Sequence, residues 1–376
     1  MSIERHYFPG NNTPQGFFSY YSHILGQREA NRIICIKGGP GTGKSTFMKR
    51  IGEEFAASGE DVDFLHCSAD ENSLDGIVLH KRKAALIDGT SPHVTDPVNP
   101  GAVDKIINLG EYWNADGIAA RKDEIIRYSE ETSKWYRICY NYLNAAKSVY
   151  RSLEEIYAEA AESSEIYRTV ADIIAEEFKD YEISMRPGRK KKFFASGITA
   201  SGTVHYLDTL VSGVPGSQAS GMNHIYIISV PVGCSNRSFM EILSEGAIYR
   251  GLDIEAFYCA LCPDEKIEHL FIPEIGAAFI TVNEYHDMEP WEITQDDVEI
   301  TLIDVSDFMD PAKLEDCESL IYTLQTEFDI LLSRAVRCLA KARDIHASVE
   351  NLYIPNMNFT EIETLRLQIM EELKKL

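Results

Sequence analysis

The chain has 376 residues with 44% hydrophobic content, compatible with two globular units, and a net charge of −23. That charge excludes a bulk surface attracted to nucleic acid or anionic membranes, and no run reaches the roughly 18–20 apolar residues that span a bilayer. The opening MSIERHYFPGNN lacks the apolar core of a signal peptide, and the eight cysteines are irregularly spaced, several in apolar runs (Cys35, Cys139, Cys338). A cytoplasmic protein with reduced, buried thiols is the expectation.

In chain order, RIICIK (32–37) predicts an apolar strand, and KSTFMKRIGEEFAAS (44–58) predicts a helix that Gly59 stops. VDFLHC (62–67), AALID (84–88) and DKIINLG (104–110) predict three further strands, and residues from about 118 to 183 read as helical. Strands alternating with helices predict an α/β fold with a parallel sheet covered by helices. Pro187-Gly188 is a breaker pair, followed by the basic run Arg189–Lys192.

Beyond that point the chain repeats itself. At a constant offset of 192, residues 33–67 give nine identities with the second half, among them Gly41/Gly233, Phe47/Phe239, Met48/Met240, Gly59/Gly251 and Cys67/Cys259. FPGNNTPQGFFSYY (8–21) resembles FASGITASGTVHYL (194–207), with Lys191 and Lys192 in the places of Arg5 and His6, and INLGEYWN (107–114) resembles IDVSDFMD (303–310). The helical stripe Trp135, Cys139, Tyr142, Ala146, Val149, Leu153, Ile156 recurs 196 residues later as Leu331, Ala335, Cys338, Ala342, Ile345, Val349, Leu352. The order of strands, loop, helix and stripe is kept, which argues for internal duplication. The expected organisation is two tandem domains with pseudo-twofold symmetry, 1–188 and 189–376, with long helical arms at about 118–183 and 312–376.

The chemistry concentrates in one loop. Gly38-x4-Gly43-Lys44-Ser45 follows an apolar strand and opens a helix. Glycines let successive N–H groups turn inward around an anion, and the helix presents its positive end to it. In such a loop Gly38, Gly39, Gly41, Thr42 and Gly43 would cradle phosphates, and Lys44 would reach the β and γ oxygens. Ser45 would ligate Mg²⁺ and Thr46 would bond the α-phosphate. A second carboxylate for the metal is expected at a strand end, and Asp88 is the candidate, with Asp70 and Asp75 as alternatives. Gly89 stands where many P-loop ATPases carry a glutamate; His93, Asp96 and Glu111 are candidates for the attacking-group side. In the second copy Val230, Ser235, Asn236 and Arg237 replace Gly38, Gly43, Lys44 and Ser45, and Thr281 stands near the place of Asp88. That half is expected to fold without binding nucleotide, serving as a packing partner or lending Arg237 or the Arg186–Lys192 run to the other site. Cys259 and Cys262 form a lone CxxC, a pattern that fits a strand end with its turn, or a zinc half-site.

GGPGTGKST resembles the phosphate loop of AAA-type P-loop ATPases. With HCSADENSLDG, DGTSPHVTDP and INLGEYW, nearly the whole chain resembles a largely uncharacterised bacterial family of tandem P-loop ATPase-like proteins. The resemblance implies a duplicated P-loop NTPase-like fold and ATP and Mg²⁺ as ligands, with Lys44 and Asp88 in the catalytic set. The expected function is a Mg²⁺-dependent ATPase with one active site and one silent half. The alternatives are a small-molecule or nucleoside kinase and a non-enzymatic nucleotide-sensing scaffold. Expected partners are a nucleotide and an unidentified small molecule or protein, with no nucleic acid or membrane.

Overall fold

The computed structural model describes residues 2–91, 94–215, 222–234, 237–293 and 298–376. The first half runs β1 (Glu4–Tyr7), β2 (Gly10–Thr13), β3 (Gly16–Ser19), β4 (Arg32–Lys37), α1 (Lys44–Ala57), β5 (Val62–His66), β6 (Leu74–Leu79), β7 (Ala84–Asp88), β8 (Asp104–Asn108), α2 (Ala115–Ala119), α3 (Lys122–Ala160) and α4 (Ser163–Glu177). The second half repeats the series as β9 (Lys190–Phe193), β10 (Ser196–Thr199), β11 (Gly202–His205), α5 (Leu207–Leu210), β12 (His224–Ser229), α6 (Arg237–Tyr249), β13 (Ile254–Tyr258), β14 (Ile267–Ile272), β15 (Ala277–Val282), β16 (Glu299–Asp304), α7 (Pro311–Tyr353) and α8 (Phe359–Leu373).

Two six-stranded sheets share one topology, β1-β5-β6-β7-β4-β8 and β9-β13-β14-β15-β12-β16. The duplicated α/β architecture is therefore present, but the sheets are mixed where the sequence predicts a parallel one. β6 and its counterpart β14 run antiparallel to both neighbours. The sequence reading has no strand at Leu74–Leu79. Its pairing is broken by a bulge opposite Leu65 and His66, which leaves Asp75 as the extra residue, and a bulge spoils the two-residue alternation that marks a strand. The basic run after Pro187-Gly188 is also part of a sheet. Lys190–Phe193 pairs in parallel with β13 as the edge strand β9, where lysines discourage pairing with a foreign strand.

Alternation along the central strands sorts the core into layers. Ile34 and Ile36 of β4 face Phe47, Met48, Ile51 and Phe55 of α1. Ile33 and Cys35 face the other way, into a core shared with Ile225 and Ile227 of β12 and with Phe257 and Phe271. The two sheets thus bury their inner faces in a common layer, and each keeps a helix-covered outer face.

The arms supply part of that covering, and they cross. α3 and α7 pair antiparallel, as fixed by hydrogen bonds at both ends. Asn114 N–H donates to Asn356 O (2.8 Å) and Asn358 N–H to Tyr112 O (2.8 Å). The equivalents 196 residues away are Asp310 N–H to Ala160 O (2.9 Å) and Glu162 N–H to Phe308 O (2.7 Å). Each arm therefore ends on the opposite half. Ile362, Ile369, Met370 and Leu373 of α8 complete the outer core of the first sheet. Val170, Ile173 and the following Phe178 complete that of the second.

The two copies meet at Phe8 and Phe194, whose backbones exchange hydrogen bonds of 2.9 and 3.0 Å. Asn11 extends the seam, donating to Ser196 O (2.7 Å) and accepting from Ile198 N–H (3.0 Å). Buried beside it, Arg5 pairs with Asp63 of its own half (2.9 Å) and with Glu255 of the other (2.7 Å). Glu255 and Asp63 are themselves related by the offset of 192. Burial alone would raise the Asp63 carboxyl, but the Arg5 guanidinium overrides it and holds that carboxyl below the usual carboxylate range.

The seam also holds His66, which stacks on Tyr206 at 4.4 Å between ring centroids and lies 2.8 Å from His6 Nδ1. Desolvation lowers the His66 imidazole to about 4 and lowers His6 as well. A folded-state value below the unfolded one, about 6.5, means the unfolded chain binds more protons between the two. Stability from this pair is then complete above about pH 6.5 and is lost as the pH falls towards 4. The urea midpoint should drop between pH 7.5 and pH 5, and His66→Asn should flatten that dependence. An unchanged pH slope in the variant would show that the histidine pair does not contribute.

Candidate functional site

The loop from Gly38 to Gly43 joins the end of β4, the strand flanked by β7 and β8, to α1. Gly43 is the N-cap of α1, has φ 85° and brings no side-chain cap. The first-turn N–H groups of a helix have no intrahelical acceptor, so the start of α1 keeps donors directed at the loop. Gly41 has φ 66°, and a methyl there would come within 3.0 Å of Glu350 O and Ile354 Cγ1. Gly41 is therefore required both by its backbone and by its neighbour, and that neighbour belongs to the arm of the second half.

The side chains tie the loop to β7. Lys44 Nζ donates to Gly38 O and Gly39 O (3.0 Å each) and stands 3.7 Å from Asp88 Oδ2. Asp88 ends β7 beside Ile36 of β4 and accepts from Thr90 N–H at 2.8 Å. Thr90 Oγ1 donates to Gly38 O (3.0 Å), and Thr42 Oγ1 to Gly39 O (2.9 Å). Ser45 Oγ accepts from Leu74 N–H at 2.9 Å, linking the start of α1 to β6. Thr46 is exposed on α1. Glycines, Lys44 and Asp88 are thus brought together, with Ser45 one residue further along the helix.

The other sequence candidates stand elsewhere or have other partners. Asp70 caps its own turn through Ser73 (2.7 Å), Asp75 is buried on β6, and Glu111 is exposed. Asp96 pairs with Lys37 (3.1 Å), whose ammonium also holds Gly89 O (2.7 Å) and Thr95 O (2.9 Å). His93, and Ser235 and Asn236 of the second loop, lie outside the described residues. Arg237 is 3.8 Å from both Glu241 and Glu265. Arg189 is engaged by Asp253, and Lys192 by Asp264 at 2.7 Å. Cys259 and Cys262 are buried at the turn after β13, where Cys262 N–H donates to Cys259 O (3.1 Å).

Sequence reasoning missed the wall over the loop. Tyr353 packs beside Trp113 (centroids 5.9 Å apart) and against Gly39, and Phe359 lies against Gly43. Tyr353 and Phe359 are more than 300 positions from the loop in sequence. The one available signal was the offset of 196, which relates Tyr353 to Tyr157, a tyrosine that lies near Cys234 of the second loop. There too the arm presses on a left-handed glycine. Gly233 has φ 85°, and a methyl on it would meet Leu153 Cβ at 2.4 Å.

Among the described residues no helix is long and apolar enough to cross a membrane. No family model, curated protein or solved structure matches the chain, so a functional reading stands on the site itself.

A left-handed position costs an L-residue about 1–2 kcal/mol, and Gly41 is crowded in addition. Gly41→Ala should lower the stability of the full chain by at least that range in urea unfolding. A loss below about 0.5 kcal/mol would mean that the loop and the arm above it are not held together as described.

Proposed function

We propose that the Gly38–Thr46 loop binds ATP with Mg²⁺, and that the chain is a tandem P-loop ATPase-like protein whose first half carries the nucleotide. The observation that carries this reading is the placement of Lys44. It sits at the uncapped start of a 14-residue helix, on the carbonyls of a glycine loop and 3.7 Å from the carboxylate ending the neighbouring strand. Phosphate oxygens suit that position, because an ammonium, a helix start and free N–H groups all favour negative charge there.

Each residue then has a defined task. The backbone N–H groups of the loop and of Lys44–Thr46 receive phosphate oxygens. Lys44 exchanges its loop carbonyls for the β and γ oxygens. Ser45 and Asp88 are the oxygen donors suited to the metal, which when bound neutralises charge between the phosphates. Asp88, 3.7 Å away, also orients Lys44. Gly89, whose carbonyl is taken by Lys37, offers no carboxylate to activate water, which supports slow hydrolysis. The wall of Trp113, Tyr353 and Phe359 supports a role for the second half, since a ligand in the loop would touch or displace residues of the opposite arm.

Lys44→Ala should weaken binding of a fluorescent ATP analogue with Mg²⁺ by at least tenfold and abolish phosphate release above background, with unfolding unchanged. Equal binding by the variant would refute the nucleotide site. Binding without phosphate release in the wild-type chain would favour the scaffold, and ATP consumption only with a nucleoside or metabolite present would favour the kinase.

A further inference from the structure

The second half lacks the residues that make the loop a phosphate site, but it carries a cluster with no counterpart among the described residues of the first half. Glu268 and His269 are neighbours on β14, and His286 lies just after β15 in the turn closed by the Asn283–His286 bridge. All three are buried, His269 completely. One ligand atom from each can be taken so that all lie within 4.8 Å of one another. Adjacent strand residues normally point to opposite faces. Here the bulge between Phe257 and Tyr258 pairs those residues with His269 and Ile267, leaving Glu268 as the extra residue, and a bulge re-aims a side chain. The first half has the same bulge, but with Asp75 and Gly76 in these places. A side chain at Gly76 would meet Leu86 O at 2.9 Å, so a histidine has no room there.

The histidines are short of partners. Neither His269 Nδ1 nor His269 Nε2 has a hydrogen-bond partner among the described residues, and the same holds for His286 Nδ1. A buried neutral imidazole carries one donor and one acceptor, and native structures seldom leave both unmet. The remaining contacts hold the ring of His286 in place. Its Nε2 is 2.8 Å from Ser196 Oγ and 3.5 Å from Glu268 Oε2, and its ring stands edge-on to His269 at 5.5 Å. Lys266, just before β14, is turned onto Tyr150 and Cys234 O (3.3 Å). Thr281, at the place of Asp88, donates to Glu268 O.

We propose that Glu268, His269 and His286 bind a divalent transition-metal ion of the zinc class. Two imidazoles and one carboxylate are a borderline-soft donor set that suits zinc. At about 2.0–2.2 Å per bond, tetrahedral ligands lie roughly 3.4 Å apart. The 3.5 Å between Glu268 Oε2 and His286 Nε2 meets that spacing, and the other pairs, within 4.8 Å, close by at most about 1.4 Å. A groove lined by Ser201, His205, Tyr285 and Asp287 lies beside the cluster. The His205 ring is 6.5 Å from His286, and its Nε2 is tied to Asp287 Oδ1 at 2.8 Å. The ion would fasten β14 to the turn after β15, and Ser196 Oγ, which bonds the same His286 Nε2, would give that atom up to the metal. It is independent of the nucleotide reading, because no residue is shared.

The test is metal binding by the full chain after chelator treatment, with Zn²⁺ followed by calorimetry and Co²⁺ by its visible spectrum. The wild-type chain should take one equivalent and give the intense absorption of low-coordinate Co²⁺. His269→Gln and His286→Gln should each weaken Zn²⁺ binding at least tenfold, and Lys44→Ala should leave it unchanged. A wild-type chain that binds no Zn²⁺, or gives only the weak spectrum of hydrated Co²⁺, overturns the proposal without recourse to any variant. So does binding that survives both histidine changes but is lost in Cys259→Ser, which would place the metal on the thiols.

Discussion

α3 and α7 run antiparallel and carry each half across to the other. At 1.5 Å per residue, helices of 39 and 43 residues reach about 60 Å. That length carries each half's last helix to the far sheet. Without α8, Ile34, Phe47 and Ile51 lose part of their outer cover, and without α4, Tyr226, Phe239 and Leu243 do. Burial of apolar area is the dominant favourable term in folding, so neither half completes its core alone. The exchange also places Glu350, Tyr353 and Phe359 over the Gly38–Gly43 loop. A structural necessity thereby becomes a physical route between the halves.

The seam acts in the same direction by different means. Phe8 and Phe194 join backbones, and Arg5 is shared between two buried carboxylates, one from each half. A buried guanidinium is tolerated only when fully paired. Separating the halves would strand it with one partner, so the ion pairs specify the docking even where their net contribution to stability is modest.

Much of this was legible in the sequence because duplication shows each element twice. The glycine loop, α1 and the central strands follow from residue type and spacing, and the offset of 196 is reproduced by the paired hydrogen bonds at the arm ends. Other features left weaker traces. β6 and β14 were hidden by their bulges, which place Asp75 and Glu268 out of alternation. The breaks that turn the arms onto the opposite sheets differ in visibility. Pro355 marks the second, whereas Ala161-Glu162 carries no glycine or proline. The helical stripe was found, but its buried members are Cys139, Leu143, Ala146, Tyr150 and Leu153, with Tyr142 and Val149 at its margin. The wall over the loop and the Glu268–His269–His286 cluster depend on contacts between distant segments, which periodicity cannot register.

Duplicated halves that diverge in chemistry while keeping their cores follow from this arrangement. Packing demands act on both copies through the crossed arms, whereas a phosphate loop needs its lysine only where a ligand is used. A ligand in the first half's loop should therefore be felt by the second half's arm. Hydrogen–deuterium exchange of the full chain with and without ATP and Mg²⁺ tests this most directly. Protection of residues 38–46 and of residues 346–360 should change together, at the same ligand concentration. A change at 38–46 with 346–360 unaffected, or no change at 38–46, would contradict it.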